Sequence, residues 1–190
     1  MIKLLVFLFV YLYGSIPFSL LVGFAYKKDI RKEGSGNVGG SNLGRTCGKR
    51  AFVIGFLLDF SKGALAVIVA NYFNLNPIVA AVFALLGHTF PVFLKFKGGK
   101  GIATAFGFVC AYSFIGAMFA ISIFLIVLKI TKYVSLASII SVLGYVVFAF
   151  FFLELWYAFL CLPLWLFIVY MHRTNIKNIK NNTERKISWM

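Results

Sequence analysis

The chain has 190 residues, of which 62% are hydrophobic, and it carries 19 Lys and Arg against five Asp and Glu. A soluble domain of this length could not bury so much apolar surface, so a soluble globular fold is excluded. The net charge of +14 does not indicate nucleic-acid binding, because the basic residues are confined to short connections between apolar segments. Charge placed in this way is typical of residues that orient a protein in a membrane.

Five long apolar segments follow one another along the chain, at residues 2–25, 51–70, 78–94, 102–128 and 134–170. Most of them reach the roughly 20 helical residues that cross a hydrocarbon layer. The first run is longer than the roughly 7 to 15 apolar residues of a cleaved signal peptide, so we interpret it as a membrane helix.

The basic connections prefer the cytoplasm, whereas the links near residues 71–77, 113–116 and 152–154 carry no Lys or Arg and are expected outside. Lys100 and Lys129 are then both inside, so residues 102–128 either cross twice as a short-armed hairpin or re-enter the same face. We predict an all-α, polytopic membrane protein of about seven transmembrane helices, some short or partly re-entrant, in a single domain over residues 1–190. A five-helix version remains the alternative.

The first basic connection is rich in glycine between Glu33 and Arg45. It contains the spacing G-x-G-x-x-G, but it lacks the strand and helix context of a dinucleotide fingerprint. Glycines let successive backbone N–H groups converge on one anion, and polar side chains add donors, so we predict a phosphate-binding loop. The alternative is a flexible cytoplasmic loop. The candidate binding residues are Ser35, Gly36, Asn37, Val38, Gly39, Gly40, Ser41, Asn42 and Arg45.

A second glycine-rich stretch, at residues 98–101, leads into an apolar segment. A helix that begins there would present free N–H groups, and Lys97 or Lys100 would add a full charge, so a second anion site is predicted. The alternative is a basic anchor at the membrane surface. His88 precedes this stretch on a helix bounded by Pro91, and we interpret it as structural.

Three further clusters contain polar residues in or beside apolar segments. Asp59 and Lys62 are three residues apart inside the second membrane helix, and a structural, self-neutralising pair is the favoured interpretation. Ser138 follows a basic connection, in a segment that also contains Ser135. His172 and Asn175 lie at the end of the last helix, and their spacing predicts that they share one helical face. The three cysteines match no metal-ligand spacing, and no metal or cofactor is expected.

Several motifs in order resemble the bacterial acyl-phosphate:glycerol-3-phosphate acyltransferase family, a seven-helix membrane enzyme. They are Gly14-Ser-Ile-Pro17, Gly34-Ser-Gly-Asn-Val-Gly39, Leu58-Asp-Phe60 with Lys62-Gly63, Gly87-His88, Gly98-Gly-Lys-Gly-Ile-Ala-Thr104 and His172-Arg173 with Asn175-Ile176. The chain departs from the family pattern at Gly40 and Ser41, where Ala and Thr are frequent, and at Met171, where a basic residue is common.

The resemblance implies transfer of an acyl group from acyl phosphate to the sn-1 hydroxyl of glycerol 3-phosphate, which gives lysophosphatidic acid and phosphate. It implies a multi-pass enzyme of the bacterial cytoplasmic (inner) membrane, with its site facing the cytoplasm and a soluble enzyme supplying acyl phosphate. Residues 34–42 would belong to the family's phosphate-binding loop. The glycerol 3-phosphate site would contain Ser35, Arg45, Lys100, Ser138, His172 and Asn175, with Lys100, His172 and Asn175 as the catalytic candidates.

The sequence also lacks the dyad of acyltransferases that use thioesters, because neither His88 nor His172 has an Asp five residues later. Acyl phosphate is already activated, so a site that holds two phosphates and aligns the hydroxyl suffices. The alternative from another functional class is a membrane carrier of phosphorylated metabolites. The polar clusters all fall on the predicted cytoplasmic side, and this favours the enzyme.

The topology predicts that Cys47 is cytoplasmic, because it lies among Arg45, Lys49 and Arg50. In intact cells an impermeant thiol reagent should leave Cys47 unlabelled when Cys110 and Cys161 have been replaced. Labelling from the outside would reverse the predicted orientation and put the site on the wrong face.

Overall fold

The computed structural model describes residues 2–187, and every regular element in this part of the chain is helical. The α-helices are α1 Ile2–Ser15, α2 Phe18–Ala25, α3 Gly40–Cys47, α4 Lys49–Tyr72, α5 Pro77–Thr89, α6 Ile102–Tyr112, α7 Phe114–Thr131, α8 Val134–Phe152, α9 Leu155–Met171 and α10 Arg173–Lys180, with a 3-10 turn at Val92–Leu94. The all-α prediction is confirmed.

Five helical segments of the described chain are long and apolar enough to cross a membrane, namely Ile2–Ala25, Lys49–Tyr72, Pro77–Leu94, Phe114–Thr131 and Val134–Phe152. Helices α9 and α10 form a sixth candidate that is bent by 58°, and α6 is a shorter apolar helix. Large apolar side chains such as Leu4 and Ile130 are exposed on these helices, as lipid contact requires. The protein is therefore a polytopic membrane protein, and the count agrees with about seven predicted segments.

The helices form two compact units, over residues 2–112 and 113–187. In the first unit α4 is central and contacts α1, α2, α3, α5 and α6. In the second unit α8 is central and contacts α7, α9 and α10.

Two predicted membrane helices of the first unit are interrupted by proline. The first span breaks between α1 and α2 at Pro17, and the third ends at Thr89, ahead of Pro91 and the 3-10 turn. Proline lacks the N–H group that the helical hydrogen-bond ladder needs, and its ring clashes with the preceding turn. The short helix α2 then leads into residues 26–39, the 3-10 turn leads into residues 95–101, and the candidate site lies in these two loops.

Glycine allows the helices of the first unit to approach at backbone distance. A methyl group at Gly63 of α4 would overlap the carbonyl oxygen of Thr104 in α6, and one at Gly107 of α6 would overlap that of Phe60 in α4. Gly14 of α1 faces the backbone of Ala84 in α5 in the same way. Such small-residue contacts are a main source of helix association in lipid, where no hydrophobic drive acts between helices.

The second unit begins at the break that was predicted near residues 113–116. Ser113 caps α7, and its hydroxyl oxygen accepts a hydrogen bond from the N–H of Gly116 at 3.3 Å. The prediction that both arms are short is correct for α6, which has 11 residues, and wrong for α7, which has 18. Farther along, the hydroxyls of Tyr145 in α8 and Tyr157 in α9 are hydrogen-bonded at 2.7 Å in a buried pair.

The last helix also differs from its prediction. It stops at His172, and α10 continues at an angle of 58°, so His172 and Asn175 do not share the face of one straight helix. The helix of residues 155–171 is apolar, whereas α10 is polar and has no buried residue. The change in composition matches the point at which the chain would leave the lipid.

The close contact of α4 and α6 predicts that Gly63→Ala lowers the thermal stability of the purified protein. Overpacking costs about 1–3 kcal/mol, which corresponds to a loss of roughly 2–4 °C in Tm per kcal/mol for a chain of this size. Ile68→Ala is the control, because Ile68 lies on the same helix and is 61% exposed. An equal Tm for the Gly63→Ala and control proteins would contradict the backbone contact.

Candidate functional site

The first glycine-rich segment is an ordered loop that leads directly into α3. Gly34 and Gly36 have φ values of +61° and +70°, in the region that favours glycine. A methyl group at Gly34 would also overlap the side-chain oxygen of Asn42. These glycines therefore permit a backbone conformation that other residues would strain, as expected for a specific binding loop.

Asn42 holds this loop together from the inside. Its side chain is 1% exposed, and its amide oxygen accepts a hydrogen bond from the N–H of Ser35 at 2.8 Å. Its amide nitrogen donates to the carbonyl oxygens of Ile30 at 2.7 Å and Glu33 at 3.1 Å. The sequence analysis expected Asn42 to donate to a ligand, but in the structure its side chain bonds the loop itself.

The loop ends at the N-terminus of α3, which is well suited to an anion. Gly39 is the N-cap residue, and its carbonyl oxygen accepts from the N–H groups of Asn42 and Leu43 at 3.1 and 3.0 Å. The first N–H groups of a helix have no intrahelical partner, and Gly39 has no side chain to cap them. Gly40 and Ser41 thus begin the helix with donors and a positive dipole end directed toward the loop.

Basic residues surround this helix. Arg45 lies one turn after Ser41 on α3, so the two share a face. Lys28 donates to the carbonyl oxygen of Thr46 at 2.5 Å, at the C-terminal end of α3. Before the loop, hydrogen bonds from the Arg31 guanidinium hold the pKa of the Asp29 carboxyl at about 2, so this surface contact persists at neutral pH.

The second glycine-rich stretch folds back onto the last turn of α5. The N–H of Gly98 donates to the carbonyl oxygen of Thr89 at 3.0 Å, and that of Gly99 donates to the carbonyl oxygen of His88 at 3.1 Å. Gly101 has a φ of +81°, and α6 begins at the next residue. Lys100 therefore stands directly before a helix N-terminus, as the second anion site requires. Its side chain is partly buried, whereas that of Lys97 is exposed.

The two loops meet at Gly99. A methyl group there would come within 2.9 Å of the carbonyl oxygen of Val38 in the first loop. Val38 is itself buried, and it lines a small cavity together with Gly98 and Gly99. Val38 and Gly99, which are 61 positions apart in sequence, are thus brought together beside one small cavity.

A buried ionic cluster borders the same cavity. Asp59 and Lys62 of α4 form an ion pair of 2.8 Å, with both side chains 2% exposed. Ser19 of α2 donates to the second carboxylate oxygen of Asp59 at 2.7 Å. His88 of α5 joins the pair, with its Nδ1 at 3.4 Å from Asp59 Oδ1 and 3.3 Å from Lys62 Nζ. The predicted Asp59–Lys62 contact is confirmed, and the participation of His88 was missed.

In the second unit, the candidate residues are held by local hydrogen bonds. His172 is 3% exposed, and its Nδ1 donates to the carbonyl oxygen of Ile168 at 2.8 Å. A carbonyl oxygen only accepts, so this bond places the ring hydrogen on Nδ1. Ser138 is also buried, and its hydroxyl donates to the carbonyl oxygen of Val134 at 2.8 Å.

Glu184 is a residue of this cluster that the sequence analysis did not identify. Its Oε1 accepts from Asn175 Nδ2 and from the hydroxyl of Ser135, each at 2.7 Å. Asn178 donates to its other oxygen at 3.4 Å. The sequence signal that could have identified Glu184 is the rarity of acidic residues, because the chain has only five. Glu184 orients Asn175 and joins α10 to the start of α8.

Comparison with known proteins identifies the family. A family model described as glycerol-3-phosphate acyltransferase matches residues 4–182, which is nearly the whole chain. The chain belongs to this family. The glycerol-3-phosphate acyltransferase of Geobacillus kaustophilus is 44% identical over 97% of this chain and 96% of the relative. That of Bacillus subtilis is 40% identical over the full length of both chains.

Solved structures of the family match the fold. The crystal structure of PlsY (YgiH), an integral membrane glycerol 3-phosphate acyltransferase, in its glycerol 3-phosphate form has a TM-score of 0.92 and 36% identity. The lysophosphatidic acid form of the same protein has a TM-score of 0.89. Each match covers 99% of this chain and 96% of that chain. The family resemblance drawn from the sequence motifs is confirmed.

The role of Asn42 inside the first loop predicts that Asn42→Asp reduces acyltransferase kcat/KM at least about tenfold. The carboxylate keeps the shape of the side chain but places an acceptor against two carbonyl oxygens, and each lost buried hydrogen bond costs roughly 1–3 kcal/mol. Asn74→Asp is the control, because Asn74 is exposed in the loop between α4 and α5. Equal activity of purified Asn42→Asp and Asn74→Asp would contradict this role of Asn42 in the loop.

Proposed function

We propose that this chain transfers the acyl group of acyl phosphate to the sn-1 hydroxyl of glycerol 3-phosphate. The observation that carries the proposal is the meeting at Gly99 of two glycine-rich loops, each of which leads into a helix N-terminus and has a basic residue next to it. Two adjacent anion sites suit a reaction in which both substrates carry a phosphate. Family membership and the ligands that describe the PlsY crystal forms support this assignment.

The first loop would hold the phosphate of the acyl donor. The backbone N–H groups of residues 37–41 and the side chains of Asn37 and Ser41 are the proposed donors, because the N–H of Gly36 already donates to the carbonyl oxygen of Glu33 at 3.0 Å. They would stabilise the negative charge that grows on the phosphate oxygens as the bond to the acyl carbon breaks. Asn42 would act through the loop that it holds in place, and Val38 through its backbone.

Glycerol 3-phosphate would bind through charged and polar side chains. Lys100 and Arg45 are the proposed partners of its phosphate dianion, with Ser35 as a further donor and Lys97 as a peripheral contact. Guanidinium and ammonium groups form the strong, charge-assisted hydrogen bonds that phosphate favours. By the family resemblance, Ser138, His172 and Asn175 of the second unit are assigned to the same substrate.

The chemical step then needs alignment more than activation. The glycerol hydroxyl oxygen attacks the acyl carbonyl carbon, the bond from that carbon to the phosphate oxygen breaks, and the hydroxyl proton passes to a phosphate oxygen. Inorganic phosphate leaves with that proton, and lysophosphatidic acid remains. Since Nδ1 of His172 donates to Ile168, the neutral form of the ring would offer Nε2 as an acceptor to the substrate hydroxyl.

We further propose that residues 1–190 act as one catalytic domain in the bacterial cytoplasmic membrane. The glycine-rich loops would face the cytoplasm, because the connections that contain them, residues 27–50 and 95–100, carry ten of the 19 Lys and Arg. The acyl chain would lie in the inner leaflet, and a soluble cytoplasmic enzyme would supply acyl phosphate.

Purified protein in liposomes provides the test of this function. With acyl phosphate and glycerol 3-phosphate, we expect lysophosphatidic acid and an equal amount of phosphate. With acyl coenzyme A, turnover should be low, because the chain has no His and Asp at the spacing of the thioester-dependent dyad. Comparable turnover with both donors would contradict the role of the first loop, and glycerol 3-phosphate uptake without product would favour a carrier.

The proposed phosphate contacts predict that Lys100→Ala and Arg45→Ala each lower kcat/KM for glycerol 3-phosphate at least about tenfold. A charge-assisted hydrogen bond contributes roughly 1.5–3 kcal/mol, and each 1.4 kcal/mol is about a factor of ten. Lys97→Ala is the matched control, because Lys97 has the same charge and a nearby position but an exposed side chain. Equal losses at Lys97 and Lys100 would favour a general surface-charge effect, and normal efficiency of both Lys100→Ala and Arg45→Ala would exclude the two-loop site.

A further inference from the structure

Burying the ionic cluster of Asp59, Lys62 and His88 has a desolvation cost that apolar residues at the same positions would avoid. A buried ion pair gives little net stability compared with apolar residues of the same volume. Charged residues inside membrane proteins mark functional positions by default. The side chains of Asp59 and Lys62 are each 2% exposed. The cluster lies where α4 and α5 approach the glycine-rich loops.

The imidazole of His88 has two distinct polar edges in this arrangement. Its Nδ1 edge faces the ion pair, at 3.4 Å from Asp59 Oδ1 and 3.3 Å from Lys62 Nζ. Its Nε2 edge faces Gly99, where an added methyl group would overlap Nε2 and also approach the Val38 carbonyl oxygen. The ring thus lies between the buried ion pair and Gly99, where the two loops meet.

The backbone of the same turn supports the second loop directly. The carbonyl oxygen of His88 accepts from the N–H of Gly99 at 3.1 Å, and Lys100 is the next residue. Because both the ring and the carbonyl oxygen of His88 adjoin Gly99, a shift of His88 would reach Lys100 across one peptide unit. Thr104, at the start of α6, donates to the backbone carbonyl oxygen of Asp59 at 3.0 Å and ties the far end of the loop to the same cluster.

We propose that His88 is a positioning residue, which the Asp59–Lys62 pair orients so that residues 98–101 place Lys100 at its substrate. The inference rests on the proposed function, in which Lys100 binds the phosphate of glycerol 3-phosphate. His88 itself touches no substrate in this account. Its contribution is to hold the loop in one conformation, so its loss should weaken the use of glycerol 3-phosphate through Lys100.

Substitutions at His88 can separate the polar role of the ring from its volume. The amide of Asn reaches the position of Nδ1, whereas that of Gln reaches the position of Nε2, and Leu retains volume without polarity. The ring needs both edges to join the ion pair to the loop, and each amide supplies only one of them. We therefore expect purified His88→Asn, His88→Gln and His88→Leu each to lower kcat/KM for glycerol 3-phosphate at least about tenfold. Ser61→Ala on α4 is the control, since Ser61 is a partly buried hydroxyl that bonds Leu58 and Tyr13 instead of the cluster.

A double-mutant cycle with Lys100→Ala tests whether the effect passes through Lys100. If it does, His88→Gln should cost less than about twofold in the Lys100→Ala protein, because coupled sites are not additive. A full additional tenfold loss in the Lys100→Ala protein, or normal efficiency of His88→Asn or His88→Gln, would overturn the proposal. Thermal melting of every variant identifies a failure to fold, and the Asn and Gln variants decide even where His88→Leu fails to fold.

The same experiment distinguishes this inference from the function on which it rests. Normal efficiency of Lys100→Ala would overturn the proposed substrate site and the positioning role together. Impaired Lys100→Ala with unaffected His88→Gln would overturn the positioning role alone.

Discussion

The need to pair backbone N–H and C=O groups in lipid decides where this protein can hold an anion. Inside the membrane every such group is used by a helix, so free donors exist only where a helix begins at the edge of the lipid. Helices α3 and α6 begin in this way, each after a glycine-rich loop. Both loops lie outside the five long spans, and within these spans charge is confined to the span ends and to the Asp59–Lys62 pair.

Close helix packing is what allows the two loops to adjoin. Gly63 and Gly107 bring α4 and α6 to backbone distance, and Gly14 does the same for α1 and α5. Larger residues would move α6 away from α4 and α5 away from α1, and the loops at the ends of these helices would move with them. Glycine therefore has two separate uses in this chain, since it permits positive φ in the loops and close approach in the spans.

The polar residues of the described chain form networks of different character in the two units. In the first unit a buried ion pair and an imidazole lie beside the loops, in surroundings where an unpaired charge would be very costly. In the second unit a single carboxylate, Glu184, accepts from Ser135, Asn175 and Asn178 near the end of the chain. A carboxylate that accepts several hydrogen bonds holds its donors in fixed orientations, which suits the orientation of Asn175.

Composition, the length of the apolar segments and the placement of the basic residues determined the membrane class, the approximate number of spans and the break near Ser113, because these depend on the solvent that each segment meets. Motif order determined the family, and glycine density determined the two loops. Tertiary structure alone decided that Asn42 bonds its own loop, that His88 joins Asp59 and Lys62, and that Glu184 binds Asn175. The unequal arms of α6 and α7 and the bend at His172 also came only from the structure. These contacts join residues that are from seven to 29 positions apart, and spacing along one element carries no information on which side chains meet across elements.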